Sequence, residues 1–593
     1  MSINILHKSW KYLLSLCLGG AAFFFWINCY PAHLSYQEQF QLFQSGATYW
    51  WERVCIPGGV TDYVAEFLTQ FYYYTWAGAL IIALLYISMQ AMTWLAARKL
   101  KAPANSYPLS FLLPLLLWRF MTDENAMLTF AIALIATQLC ILAYNQVYKR
   151  SNRLFFTFIA LPTLYWFAGP VHYLLAIWII YCEYREYSRH HTWFEASAII
   201  TVTILWSVAC PLLASMWVQY PLQRLFWGIS YHRYPTIIPP TQTVTALLLP
   251  LLPIIMAAGT RLKSCTIHPL RTGVILVIAV SVAGYWAVRS GCDMAKEETM
   301  EYDYLARNAQ WHDIIAKAEK RHPSSPLGVT CLNLALGMTG QLGDRMFEFF
   351  QNGVDGLLPD FRRDFILPLP VSEAYYYLGM VNTAQRFTFE AMESIPNHRK
   401  STRCIKRLAE TNLINGQYKV AAKYLRALQK TLFYKDWANE AMTYLNNEAK
   451  INAHPLWGRL RQLRYTEDFL FSEREKPEML GLLYQHNHSN RLAFEYMLGY
   501  LLQERDLQRF MKYYPLGKDA GYDHIPRSYQ EALVYVWTQS HKSFQGMPWS
   551  ISPQIARNIT EFARIYTSQP GAKGLLQAHF KDTYWYYLLM GHN

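Results

Sequence analysis

A few side chains in the first 240 residues have the types and spacing that could do chemistry. Glu38 stands in HLSYQEQ, Asp62 opens DYVAEFLTQFYYY with Glu66 one helical turn on, and Asp123 and Glu124 are neighbours in MTDEN. Arg224, His232 and Arg233 lie in QYPLQRLFWGISYHRYPTIIPP. Carboxylates from two converging loops can share a reaction, one taking a proton from an acceptor hydroxyl while the other orients it or holds a divalent cation. The planar fork of arginine matches phosphate oxygens. Plainer readings stand beside these. Short external loops are acidic because positive residues are excluded from them, and arginines near aromatic residues snorkel to anionic headgroups.

The elements that would position these groups follow from an uneven composition. The chain has 593 residues, 53% hydrophobic and 16% charged, and its apolar residues crowd into the first half. Runs of membrane-spanning length begin with Trp10 to Tyr30 and continue near 75–97, 107–121, 126–147, 154–168, 170–184, 195–217, 241–258 and 272–289. The all-α expectation is therefore a polytopic transmembrane domain over 1–290, about nine spans with an external loop at 31–74, followed by a soluble helical domain over 291–593. The runs near 107–121, 154–168 and 170–184 are short for a bilayer, and a pair of them could form a re-entrant or buried hairpin.

With the N-terminus placed in the cytoplasm, the inner loops and ends hold Lys8, Lys11, Arg98, Lys99, Lys101, Lys149, Arg150, Arg153, Arg185, Arg189, Arg261, Lys263 and Arg271. The outer ones hold Arg53, Arg119, Arg224 and Arg233. Thirteen against four predicts that everything after about residue 290 lies on the far side of the membrane, a periplasmic location if this is a bacterial inner membrane. The same distribution accounts for a net charge of +13 without nucleic acid, for which no motif is present. Ten scattered cysteines without CxxC or zinc spacing exclude a disulfide framework, with Cys29 and Cys55 as a conceivable external pair or as two single thiols.

The second half repeats a small-residue helix, a turn and a second helix. Tyr375, Leu378 and Gly379 followed by Ala391, Ile395 and Pro396 fit a tetratricopeptide-like template, and Ala409, Gly416, Tyr418, Ala421, Ala422 and Leu425 repeat it. Weaker copies are expected at 331–350 and 491–514. The expected result is an α-solenoid whose concave face binds an envelope protein or packs on the membrane domain. Cys331 and Cys404 read as core thiols, and His486 and His488 as solvated rather than metal-binding.

The opening loop returns as the most unusual segment. YQEQFQLF (36–43) and TYWWERV (48–54) have amphipathic helical spacing that would lay Phe40, Leu42, Phe43, Tyr49, Trp50 and Trp51 in the headgroup layer, with Gln37, Glu38 and Glu52 facing water or a cavity. PGG breaks the chain, and Asp62 reads as the cap of the next helix. Two such helices in a first external loop, an acidic residue about eight positions after the first span and many further spans resemble the GT-C superfamily of membrane glycosyltransferases. The resemblance covers residues 10–290 in layout, and Glu38-Gln39 stands where that superfamily often has an acidic pair. It implies Glu38 as the carboxylate acting on the acceptor, Asp62, Asp123 and Glu124 as supporting carboxylates, Arg224, His232 and Arg233 on the phosphate of a polyprenyl-phosphate sugar, and Phe226 and Trp227 seating its chain. The whole layout is similar to certain protein O-mannosyltransferases, and more so to a bacterial family of polytopic proteins with the pattern HLSYxEQ and PGGxxDYxxEFLTQFYYY, which implies a fold and no activity. A lipid or polymer transporter is disfavoured, because the spans hold few central charges and show no inverted repeat. The alternative from another class is a membrane-anchored scaffold.

Overall fold

The computed structural model describes residues 2–190, 193–258, 269–362, 364, 366–467, 472–541, 543–568 and 573–591. Arg261 and Lys263, counted above among the inner charges, lie outside the described residues. Every regular element described is a helix, and one isolated antiparallel bridge joins Ala126 to His232. The chain divides into two compact units. The first is Met1–Asp293 together with two short segments from later in the chain, Pro396–Thr402 and Lys430–Lys435; the second is Met294–Ile395, Arg403–Gln429 and Asp436–Asn593.

The first unit begins with α1 (Ser2–Phe24), α2 (Pro31–Gln39), α3 (Ala47–Val54), α4 (Gly59–Gln70), α5 (Thr75–Lys99), α6 (Leu112–Met121) and α7 (Leu128–Tyr144). It continues with α8 (Arg150–Ala168), α9 (His172–His190), α10 (Trp193–Ser215), α11 (Leu222–Trp227), α12 (Pro240–Ala258) and α13 (Pro269–Gly291). Among the described residues five stretches are long and apolar enough to cross a membrane: Trp10–Cys29, Thr75–Lys99, Glu195–Ser215, Pro240–Ala258 and Arg271–Gly291. The run near 107–121 forms no such helix. A 3-10 segment, Ala104–Phe111, holds Pro108 and precedes the ten residues of α6. At about 1.5 Å per residue, α6 covers roughly half of a hydrocarbon layer.

In α9 the carboxylate of Glu183 is fully buried, and it is neutralised from neighbouring helices. Arg153 Nη1 donates to its Oε1 at 3.1 Å and Tyr144 Oη at 2.6 Å. A charge this deep needs such partners. The apolar core of this unit runs through Trp26, Tyr86, Trp118, Leu134 and Trp178, with the rings of Tyr86 and Trp118 stacked at 5.7 Å.

In the second unit, Pro368–Tyr377 pairs with Val381–Glu393, and Thr402–Ile414 is followed by Tyr418–Leu428. The turns use Gly379 and Gly416 at φ of +88° and +74°, a region that favours glycine. Ala391, Ala409 and Ala421 are fully buried, as small residues between closely packed helices should be. The stretch 331–350 departs from expectation. Helix Pro326–Met338 is followed by a four-residue turn and a 3-10 turn, and Phe347 and Phe349 enter the core without a second helix to carry them. Cys331 and Cys404 are buried and Cys29 and Cys55 exposed, all four outside any disulfide. His486 and His488 rest against the rings of Tyr465 and Tyr484.

Two buried glutamates make this unit sensitive to pH. Burial pushes Glu495 up to about 7 against the pull of Arg491, and Glu531 up to about 7 against Arg527. Glu495 Oε2 is buried without a hydrogen-bond partner, as a protonated carboxyl tolerates better than an ionised one. Both folded values lie above the unfolded one. The folded state therefore holds more protons between about pH 4.5 and pH 7, and the stabilisation from this source is complete at the lower end and lost as pH rises through 7. The melting temperature of this unit is expected to fall between pH 5.5 and pH 8, and Glu531→Gln should flatten that fall. An unchanged slope in the variant would count against the assignment.

Candidate functional site

The polar residues of α2 do not face water. In α2, Ala32 through Gln39 are all buried, and burial continues through Phe40, Gln41, Leu42 and Phe43. The amphipathic helix expected over 36–43 in the headgroup layer is instead the end of α2, which stops at Gln39, and an irregular stretch after it, both enclosed by protein where their polar groups find partners. Gln37 Nε2 donates to the carbonyls of Glu124 (2.6 Å) and Ala126 (3.0 Å), and its Oε1 accepts from Gln41 Nε2 at 2.8 Å. His33 packs on Trp26 and Tyr30, and burial pulls it down to about 3, which makes it a neutral imidazole at physiological pH. Trp51 and Glu52 do stay exposed.

Glycine decides how the next two helices meet. Gly58 has φ of +83°, and a Cβ on Gly59 would stand 1.7 Å from the carbonyl oxygen of Arg53. That approach lets α3 present Arg53 to α4. Arg53 Nε donates to Glu66 Oε2 at 2.9 Å and its Nη2 to Oε1 at 3.1 Å, and Tyr49 Oη donates to Oε2 at 2.6 Å.

Asp62 is not the cap of α4, which begins after Gly58 without a side-chain cap. Its carboxylate is turned inward, where Thr129 Oγ1 donates to Oδ1 at 2.7 Å. Arg399, in the segment 396–402, completes the cluster. Its Nη2 donates to Asp62 Oδ1 (2.8 Å) and Oδ2 (2.9 Å), and its Nη1 to Glu66 Oε1 (2.6 Å). Burial alone would raise the Asp62 carboxyl, but the Arg399 and Arg53 charges with the hydrogen bonds from Arg399 and Thr129 outweigh it and hold it below the usual range. Burial and the adjacent Asp62 charge push Glu66 the other way, upward, against the same two guanidiniums. The arrangement is a saturated ion cluster, with both carboxylates occupied by donors.

Glu38 has different company. It is 1% exposed, and Tyr434 Oη, from the segment 430–435, donates to its Oε2 at 3.2 Å. Phe433 stacks on Tyr73 at 5.2 Å, and Tyr434 meets Tyr73 edge-on. Backbone bonds fix both segments: Leu42 N donates to Lys400 O and Ser45 N to Lys430 O.

The other candidate residues are brought partly together. The bonds from Gln37 tie the opening loop to the Asp123-Glu124 turn. Arg233 is fully buried; its backbone N donates to Asn125 O at 2.7 Å, its Nη2 lies 3.4 Å from Gln37 Oε1, and its guanidinium sits over the rings of Tyr36 and Phe40. Burial and the like charge of Arg399 draw its pKa down, while Tyr36, Tyr234 and Glu124 act against that. His232 Nε2 lies 3.5 Å from Asp123 Oδ2, and the half-buried Asp123 also accepts from Asn125 N through Oδ1 at 2.9 Å. Arg224 donates to Asn397 Oδ1 at 2.9 Å, away from Arg233's partners. Among the described residues no three His, Cys, Asp or Glu side chains form a group able to hold a metal ion.

An apolar groove of about 580 Å³ lies between α7, α9, α10, α11 and α12, lined among others by Phe130, Leu174, Phe226, Trp227 and Tyr231. Phe130 and Tyr231 are close in sequence to Ala126 and Arg233, so the groove shares its loops with the polar layer. Glu66, Arg53, Arg399 and Tyr434 complete the layer, and only Glu66 carried a sequence signal, its spacing from Asp62.

The family of unknown function DUF6057 matches residues 7–591, nearly the whole chain, and the protein belongs to that family. No curated protein and no solved structure matches it.

Proposed function

From membership in a family whose description carries no activity, we propose a multi-pass membrane protein that acts on the phosphate end of a membrane lipid, as a GT-C-like glycosyltransferase drawing sugar from a polyprenyl-phosphate donor. The observation that carries this is the enclosed polar layer of α2, with Glu38 and Arg233 both buried and an apolar groove leaving from the same loops. Buried ionisable groups in such a setting are expensive to keep and point to function. Glu38 is the base toward the acceptor hydroxyl, Arg233 faces the phosphate, and the groove beside Phe226 and Trp227 takes the prenyl chain. Asp62 and Glu66 are positioning residues, because their oxygens are already filled by arginines. About nine spans, a cytoplasmic N-terminus and an extracytoplasmic second unit of tetratricopeptide-like hairpins, in a bacterial inner membrane, complete the proposal on the thirteen-to-four charge bias.

The saturated Asp62–Glu66–Arg399 cluster favours a second reading, a membrane-anchored scaffold whose helical hairpins bind an envelope protein, since those carboxylates serve structure. One experiment separates the two. The protein in lipid nanodiscs is titrated with polyprenyl-phosphate sugars and assayed for transfer to water or to hydroxyl acceptors, beside Glu38→Gln. Binding retained with transfer reduced by about 10²-fold or more in the variant is expected for a lost general base. Absence of any lipid-sugar binding to the wild type would remove the transferase and leave the scaffold.

A further inference from the structure

A second pocket, of about 530 Å³, lies wholly in the second unit and is independent of the transferase proposal. Three successive connections build it: the turn at Gly379 and Met380, the turn at Asn415 to Gln417, and the strand of chain from Arg464 to Glu467 that follows helix Pro455–Leu463. The first turn is held against the third, since a Cβ on Gly379 would stand 2.9 Å from Leu463 Cβ. Unlike the apolar groove, its walls are mainly amides, hydroxyls and two arginines.

Arg464 is the decisive side chain. Its Nη1 donates to Ile414 O at 3.1 Å and to Asn415 Oδ1 at 3.0 Å, neutral acceptors that fix the guanidinium in place. Asn415 is fixed in turn by donating to Asn382 Oδ1 at 2.8 Å. Among the described residues Arg464 makes no ion pair, and its Nε and Nη2 make no hydrogen bond to protein. Arg464 lines the pocket, and a guanidinium presents five N–H donors in a rigid fork, so those on Nε and Nη2 remain for a ligand. Arg386 also lines the pocket and is paired to Glu390 at 3.2 Å. Burial and then the nearby positive charge of Arg461 draw the Arg464 pKa down, against Glu448 and Tyr418, and a bound anion would act with the latter two. The remaining groups suit hydroxyls: Gln417 and Thr383 both donate and accept, and Glu467 on the rim accepts.

We infer that this pocket binds a small hydroxylated anion, a sugar ring bearing a carboxylate or a phosphate, with the oxyanion on Arg464 and the hydroxyls on the amides and Glu467. The test uses the full chain in detergent, titrated with glucuronate, glucose 6-phosphate, glucose and inorganic phosphate, with binding followed by saturation-transfer NMR for the sugars and calorimetry for all four. Saturable binding of at least one charged sugar is expected, weakened about tenfold or more in Arg464→Gln, the scale of losing a charge-assisted bidentate contact. Which charged sugar binds identifies the oxyanion. Because Arg464 also braces the end of helix Thr402–Ile414, Arg386→Gln at the rim is the companion variant, expected to weaken binding less while leaving the fold intact. Binding of neither charged sugar, binding of glucose as tight as theirs, or affinities unmoved in both variants would overturn the inference. Inorganic phosphate binding as tightly as glucose 6-phosphate would overturn the part played by the hydroxyls.

Discussion

Replacing Arg399 by alanine is expected to destabilise the first unit by about 3–5 kcal/mol, the penalty for leaving a buried charge without its partner. Two carboxylates are affected at once. Asp62 loses both hydrogen bonds to its oxygens from Nη2, and Glu66 loses the 2.6 Å bond from Nη1, while both remain enclosed. Differential scanning fluorimetry in detergent should show a fall in melting temperature of roughly 6 °C or more. A control makes the cause specific. Neutralising Arg399 together with Asp62, as Arg399→Met with Asp62→Asn, removes the unpaired charge while Glu66 keeps Arg53 as its partner, and should recover much of the loss. The variant should also be unusually sensitive to rising pH. Without Arg399 the carboxyls sit above their unfolded values, so the stability they still lend is present below about pH 4 and lost as pH climbs. In the native protein Asp62 behaves in the opposite way, since its lowered pKa contributes stability above the unfolded value that is lost only in acid. A melting temperature within a degree of the wild type would sink the idea that this cluster holds the opening loop in place.

The same residues mark where the sequence could and could not be read. Local features were legible. The turns at Gly379 and Gly416, the buried alanines beside them and five of the apolar helices follow from periodicity and glycine placement, which depend on neighbours a few residues away. Prolines could have warned that 107–121 would not form one long helix, because Pro108 and Pro114 each remove a backbone donor. The polar layer was not legible. Asp62 and Arg399 are 337 residues apart, and nothing in PNHRK marks its arginine as different from the others. For the same reason the amphipathic spacing of 36–43 suggested a headgroup layer. The pattern shows that one face is polar, but whether water or protein satisfies that face depends on distant segments. Glu38 was singled out, yet its partner Tyr434 comes from a stretch with no pattern of its own.

The second large effect is expected at Glu373, where one carboxylate serves two arginines in the second unit. Arg403 Nη2 donates to its Oε1 at 3.2 Å, and Arg407 Nη2 donates to its Oε2. Arg403 has a further partner in Asp303, at 2.6 and 3.0 Å, and Arg407 has Glu410 at 2.8 Å and the face of Tyr376 at 3.6 Å. Burial would raise the Glu373 carboxyl, but the Arg407 and Arg403 charges and their hydrogen bonds hold it below the usual range. Glu373→Ala leaves two guanidiniums facing each other across a buried gap, and about 3–5 kcal/mol should be lost from this unit. Glu373→Gln keeps the volume and one acceptor oxygen, so it should lose less. The pH dependence checks the mechanism. A lowered carboxylate pKa gives stability that is present above about pH 4.5 and lost as pH falls through the folded value, so wild type and Glu373→Gln should converge in acid. Because Arg403 and Arg407 each retain an acid elsewhere, in Asp303 and Glu410, adding Arg407→Leu to Glu373→Ala takes from Glu410 its partner and should deepen the loss, and a double variant no worse than the single one would show that the helix packing around Tyr376, rather than the ion cluster, carries the effect.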